Sequence, residues 1–217
     1  MKWLDRLEYR FRRYGVRNLM NYLVGGMAAV YVLNLLTPNL QVISWLDLRW
    51  SLVMRGQVWR LLTFVFVPPS TSPIFVIFSL YFYWLIGSSL EHQWGRSRFT
   101  LFYLIGIIGN ILAAVITGGA QNAFLNLSLF LAFAATYPDY EVLVFFILPV
   151  KMKVLALLNL LYFAYLLIAG GWATRAGVLA SLLNVILFFG GDLLSTARRE
   201  LGYLKTRRNF RNNMRGR

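Results

Sequence analysis

The chain of 217 residues has no cysteine, one histidine, six prolines and only eight acidic side chains against 22 basic ones. The missing cysteines exclude disulfides and thiol chemistry and leave the redox compartment open. Charged residues make up 14% of the chain, well below the usual quarter of a soluble domain. No phosphate-binding glycine loop and no cluster at metal-ligand spacing is present, so no cofactor and no metal are expected. The apolar runs carry no charge near their middles and show no internal repeat, which gives a transporter or channel little support.

What the chain has in excess is apolar residues, 59% of the total, with a mean hydropathy of +0.59. They come in blocks rather than in the alternation of a water-exposed fold, so lipid is the simplest solvent for them. Six runs stand out, at 19–36, 74–90, 99–117, 123–137, 154–170 and 176–194. Crossing a hydrocarbon core of about 30 Å takes about 20 apolar residues, so the short fourth run must rely on its neighbours. The expected domain is 19–194, between a basic arm at 1–18 and a basic tail at 195–217. The arm is too charged, and the first run too poor in a small-residue cleavage site, for a removable signal peptide.

The net charge of +14 suggests nucleic acid only until its position is considered. Six basic residues (Lys2, Arg6, Arg10, Arg12, Arg13, Arg17) precede the first run, and eight lie in the last 20 positions. Basic ends beside apolar spans are what membrane topology and anionic headgroups select, so the bilayer, not nucleic acid, is the expected partner. With both ends cytoplasmic, the inner segments hold 18 Lys and Arg, counting Arg96, Arg98, Lys151 and Lys153; the outer ones hold four, Arg49, Arg55, Arg60 and Arg175. That asymmetry sets the expected orientation.

Between the first two runs, about 37–72, Trp45, Trp50 and Trp59 are mixed with Leu, Val and Arg. This composition suits a helix lying in the headgroup region, with Trp59 and Arg60 as interfacial anchors. At the end of the second run, Glu91 is placed to pair with Arg96 or Arg98.

Three segments carry a family resemblance: Gln57-Val58-Trp59-Arg60-Leu61-Leu62-Thr63; Gly87-Ser88-Ser89-Leu90-Glu91 with Gly95 and Arg98-Phe99; and Phe145-Phe146-Ile147-Leu148-Pro149-Val150-Lys151. In this order, with a long first loop and six spans, the chain resembles the rhomboid superfamily of intramembrane serine proteases and inactive Derlin-type relatives. The resemblance implies an all-α integral membrane protein, a six-helix rhomboid-like bundle with a long interfacial first loop. It also implies a serine in a Gly-x-Ser-Gly context on the fourth helix, a histidine on the sixth, and a His and an Asn on the second that help hold an oxyanion.

Laid onto this chain, the fourth helix reads Asn126-Leu127-Ser128-Leu129, with the serine present and both glycines absent; Leu129 is expected to keep the fourth and sixth helices apart. The sixth run holds Ser181 and Asn184 where the base would stand, and the oxyanion positions of the second become Phe75 and Ser79. The one histidine, His92, falls beyond the inner end of the second run, about a membrane's width from Ser128. Lys151 and Lys153 lie on the inner side, and Asp139 and Asp192 mark inner helix ends where a solvated carboxylate is ordinary. Serine needs a base within about 3 Å to attack near neutral pH.

The expectation is therefore a catalytically inactive rhomboid-like protein, a pseudoprotease and not an enzyme, that binds transmembrane client proteins in membrane quality control. Asn126, Ser128, Ser181 and Asn184 are expected to line a client cavity opening to the outer leaflet. Asn110 and Asn159 are the other polar residues within spans, suited to interhelical hydrogen bonds. The alternative is an active rhomboid intramembrane serine protease with an atypical dyad around Ser128. The tail shows no match to the short motif by which Derlins recruit a cytosolic unfoldase. A bacterial inner membrane is the expected location, an internal eukaryotic membrane the alternative, and no oligomeric state is read from the chain.

Overall fold

The computed structural model describes residues 15–70, 72–144 and 148–190. Helix α1 spans Leu19–Leu36. The long first loop that follows is a chain of short helical turns: Pro38–Leu40, α2 (Val42–Leu46), α3 (Trp50–Val53), α4 (Arg60–Thr63) and Phe64–Phe66. Between α2 and α3 lies a two-residue strand, β1 (Leu48–Arg49). Then come α5 (Pro73–Trp94), α6 (Arg96–Thr117), β2 (Gly119–Ala120) and α7 (Asn122–Thr136). A hairpin of β3 (Glu141–Val144) and β4 (Leu148–Lys151) leads into α8 (Met152–Ala169), and α9 covers Trp172–Gly190.

Five of these, α1, α5, α6, α8 and α9, are long and apolar enough to cross a membrane, and α7 is a shorter apolar helix. The protein is thus an all-α, multi-pass integral membrane protein. At 1.5 Å per residue α7 is only about 22 Å long, less than a hydrocarbon core. It tolerates this because it stands at the centre: ten of its 15 residues are buried, against three of 18 in α8. Helix α8 instead turns Leu157, Leu158, Leu161 and Ile168 outward, a face whose natural solvent is acyl chain.

Helices α5 and α6 are joined through one residue, Gly95, at φ +84°. That left-handed conformation costs a residue with a Cβ about 1–2 kcal/mol, which is why two 22-residue helices can fold back to back only at a glycine. Near this turn an aromatic cluster ties α5, α6 and α9 together: Trp94 lies 5.6 Å from Phe102 and 5.2 Å from Phe189, with Phe102 5.2 Å from Phe188.

The two ends of the bundle are held differently. At the first-loop end β1 pairs antiparallel with β2, Leu48 opposite Ala120 and Arg49 opposite Gly119, and the Trp50 amide donates to the Gly118 carbonyl at 2.8 Å. At the opposite end the Val16 amide donates to Thr100 Oγ1 and the Asn18 amide to Glu91 Oε1 at 2.6 Å.

Several expectations change here. The first loop is not one helix lying along the interface. It folds back on itself around Arg60, which is buried at 3% exposure and is no headgroup anchor. Its guanidinium donates to Gln57 Oε1 at 2.7 Å and to the carbonyls of Asp47 and Ser44 at 2.7 and 2.9 Å. Desolvation and the neighbouring Arg49 hold Arg60 below the ordinary guanidinium pKa, with Asp47 opposing. Trp59 is exposed, its indole N–H reaching the Trp45 carbonyl. Glu91 pairs with neither Arg96 nor Arg98: it faces the start of α1, and Arg98 lies over the Trp94 ring at 6.0 Å. The connection at 141–151 is a hairpin, with Glu141 opposite Lys151 and Val142 opposite Val150.

Candidate active site

The central helix α7 begins directly beneath the first loop. Asn122, its first residue, donates its side-chain amide to the Val65 carbonyl at 2.8 Å and the Val67 carbonyl at 3.3 Å. One turn on, Asn126 occupies the same face and meets the hydroxyl of Tyr83 from α5. Above them opens a pocket of about 490 Å³, walled by Phe64 and Pro68 of the first loop, by Asn122, Phe124 and Asn126, and by Thr174 of α9. Asp47 and Arg49, 3.8 Å apart, stand at its edge. The pocket mixes polar and apolar side chains and lies at the first-loop end of the bundle.

Ser128 does not reach that wall. It is fully buried, about 3 Å deeper along the helix than Asn126, and its Oγ donates to the Leu125 carbonyl at 2.7 Å. No imidazole, carboxylate or amine is hydrogen-bonded to it among the described residues. Ser181 donates to the Phe124 carbonyl at 2.7 Å and Asn184 to the Phe102 carbonyl at 3.3 Å, so both serve as ties from α9 to its neighbours. Asn159 reaches the Leu127 carbonyl from α8, and Asn110 turns back onto Gly106 within α6. Of the four residues expected to line one cavity, only Asn126 lines this one.

Phe75 points outward and Ser79 is half-buried, and neither lines the pocket. His92 is exposed at the far end of α5. Asp139 is fully solvated and bonded to Lys153 at 2.8 Å, which lowers its pKa below the ordinary value. Asp192 lies outside the described residues. No group of acidic side chains and histidine suited to a metal occurs among the described residues.

Helices α7 and α9 approach closely despite the missing glycines of α7, and the approach is made at Gly177 of α9: a Cβ there would lie 2.5 Å from the Phe124 ring. Asn122, Tyr83 and Gly177 are the residues that sequence reasoning passed over. The four-residue spacing of Asn122 and Asn126 was the available signal, since it puts both on one helical face.

The Rhomboid domain family model matches residues 55–190. The chain is also similar to proteins named rhomboid protease GlpG from Yersinia pestis (strain Pestoides F) and Yersinia pseudotuberculosis serotype O:3 (strain YPIII). Each is 28% identical over 96 residues, 44% of this chain and 31% of the relative. The match thus spans about a third of the length of these curated relatives. It corrects the expectation that the chain is not an enzyme, because the relatives are named as proteases. A missing histidine on the sixth helix bears on one way of activating a serine and does not by itself exclude hydrolysis.

Proposed function

Because this chain belongs to the rhomboid family, we propose that it is an intramembrane protease of the rhomboid type, with an atypical arrangement around Ser128, acting on transmembrane segments of other proteins. The observation that carries the reading is the match of the Rhomboid domain family model over residues 55–190, which include the central helix, together with the similarity to relatives named rhomboid proteases. The pocket over Asn122 and Asn126 adds to it: a peptide bond entering there leaves lipid and meets water. The excess of 18 basic residues over four supports cytoplasmic termini and a pocket facing the outer leaflet, and the bacterial source of the similar proteins favours a bacterial inner membrane.

Attack by Ser128 requires its hydroxyl to leave the Leu125 carbonyl and the substrate segment to displace the packing that separates Ser128 from the pocket. The Oγ then bonds to the substrate carbonyl carbon as the C–N bond breaks, its proton is relayed by a water admitted with the substrate to the leaving amine, and a second water hydrolyses the resulting ester to release the acid and regenerate Ser128. Without a side-chain base the general-base contribution, typically about 10²–10⁴ in rate, is forfeited, so turnover is slow. Purified protein treated with a fluorophosphonate is expected to be labelled slowly at Ser128, and Ser128→Ala to abolish the label. Labelling that is absent, or equal in the variant, overturns the reading.

A further inference from the structure

Among the described residues, Asn110, Asn122, Asn126, Asn159 and Asn184 are buried with the side-chain oxygen meeting no donor. In each the amide nitrogen is spent on a neighbour: a backbone carbonyl in four of them, and the Tyr83 hydroxyl for Asn126. Asn110, Asn159 and Asn184 do not border the first-loop pocket, whereas Asn122 and Asn126 do. These two are 6% and 2% exposed. They share one face of α7, Asn126 lying about 6 Å deeper along the helix.

The amide of Asn122 cannot turn round. Val65 and Val67 offer carbonyls, which only accept, so the nitrogen faces the first loop and the oxygen is the free end. Asn126 likewise turns its nitrogen to Tyr83 and keeps its oxygen free. The pocket wall thus holds two acceptors in succession along the path of a side chain entering from the first loop. An aliphatic side chain seated there leaves both oxygens buried and unpaired, and a carboxylate sets lone pairs against lone pairs. A side chain carrying N–H or O–H hydrogens satisfies them. A primary amide has two N–H donors on one nitrogen, which suits two acceptors one helical turn apart better than the single O–H of Ser or Thr. A lysine ammonium has donors too, but its charge is costly at this depth and meets Arg49 at the rim.

We propose that Asn122 and Asn126 are specificity-determining residues: they select transmembrane segments that carry Asn or Gln at the position seated against α7. The proposal rests on the reading that such segments enter this pocket, and not on their hydrolysis. The test is binding of single-span peptides to the full chain carrying Ser128→Ala in lipid nanodiscs, read by energy transfer between labelled peptide and labelled protein. One position at a time across the outer half of an apolar span is made Asn, Gln, Ser, Asp or Leu; Leu and Asp match Asn in shape but donate nothing when Asp is ionised. At one register Asn or Gln is expected to bind about tenfold or more tighter than Leu, with Ser between and Asp no better than Leu. Asn126→Leu leaves the Asn122 bonds to the loop in place and is expected to lower the Asn-over-Leu ratio several-fold, as is Asn122→Leu. The ratio is taken within one protein, so a variant that is only less stable leaves it unchanged. Equal affinity for Asn and Leu at every register overturns the proposal without recourse to any Asn variant, and so does a ratio unmoved in both variants. The same peptides with wild-type Ser128 separate the two readings. Asn-selective binding without fragments upholds this proposal and removes hydrolysis; fragments from Asn and Leu segments bound equally well remove this proposal alone.

Discussion

Replacing Arg60 with alanine should release the first loop from the bundle. The guanidinium spends three donors on Gln57 Oε1 and on the carbonyls of Ser44 and Asp47, at 2.7–2.9 Å. Removing it leaves two backbone acceptors without a partner, at about 1–3 kcal/mol each when water cannot replace it. Because these bonds are only partly buried, water recovers some of the loss, and about 2–4 kcal/mol remains. Much of that falls on the loop rather than on the spanning helices, since β1 and β2 share only a two-residue ladder. Hydrogen exchange by mass spectrometry in detergent is the assay. Peptides covering residues 46–54 should lose protection by roughly 30-fold or more, while those from α6 stay protected. Arg60→Lys, with one compact ammonium in place of a planar fork, should fall between the two. Unchanged protection across residues 46–54 in Arg60→Ala would refute the clamp.

Gly177→Ala should destabilise the protein by about 1–3 kcal/mol through overpacking against the buried Phe124 ring, and Phe124→Ala should relieve part of that in a double-mutant cycle; additive losses would contradict the contact. Asp139 has its pKa depressed below the ordinary 3.8 by its hydrogen bond to, and the charge of, Lys153. Its stabilising contribution is therefore present above about pH 4 and lost as pH falls through the folded-state value. Both groups are exposed, so Asp139→Asn should shift the melting temperature only slightly at pH 7, and not at all near pH 2 or in molar salt; a shift that grows on acidification would contradict this sign. Ser128→Ala should leave the melting temperature within a few degrees of wild type, because its hydroxyl bonds only a carbonyl of its own helix; aggregation of this variant would mean that Ser128 is structural.

The spanning helices were legible because a lipid solvent demands long apolar runs, and such runs are visible residue by residue. Their ends were less so: α5 continues to Trp94 and α6 starts at Arg96, since charged and aromatic residues remain helical until Gly95 turns the chain. Arg60 looked interfacial because it is a cation among apolar neighbours, and nothing in the sequence reveals that three acceptors converge on it. Glu91 was matched with nearby arginines, yet its donor comes from Asn18, 73 residues away. The cavity was partly predictable. Asn126 and Ser128 are two residues apart, about 200° around a helix, so they could not both face one pocket, whereas Asn122 and Asn126 could.

The central claim is hydrolysis of a membrane-embedded peptide bond that depends on Ser128. Its most direct measurement is reconstitution of the full chain in liposomes with a single-span substrate, following products by mass spectrometry over hours. The account predicts slow appearance of two fragments cut within the span and none with Ser128→Ala. Crosslinking of the intact substrate to the pocket without any Ser128-dependent fragment would contradict it.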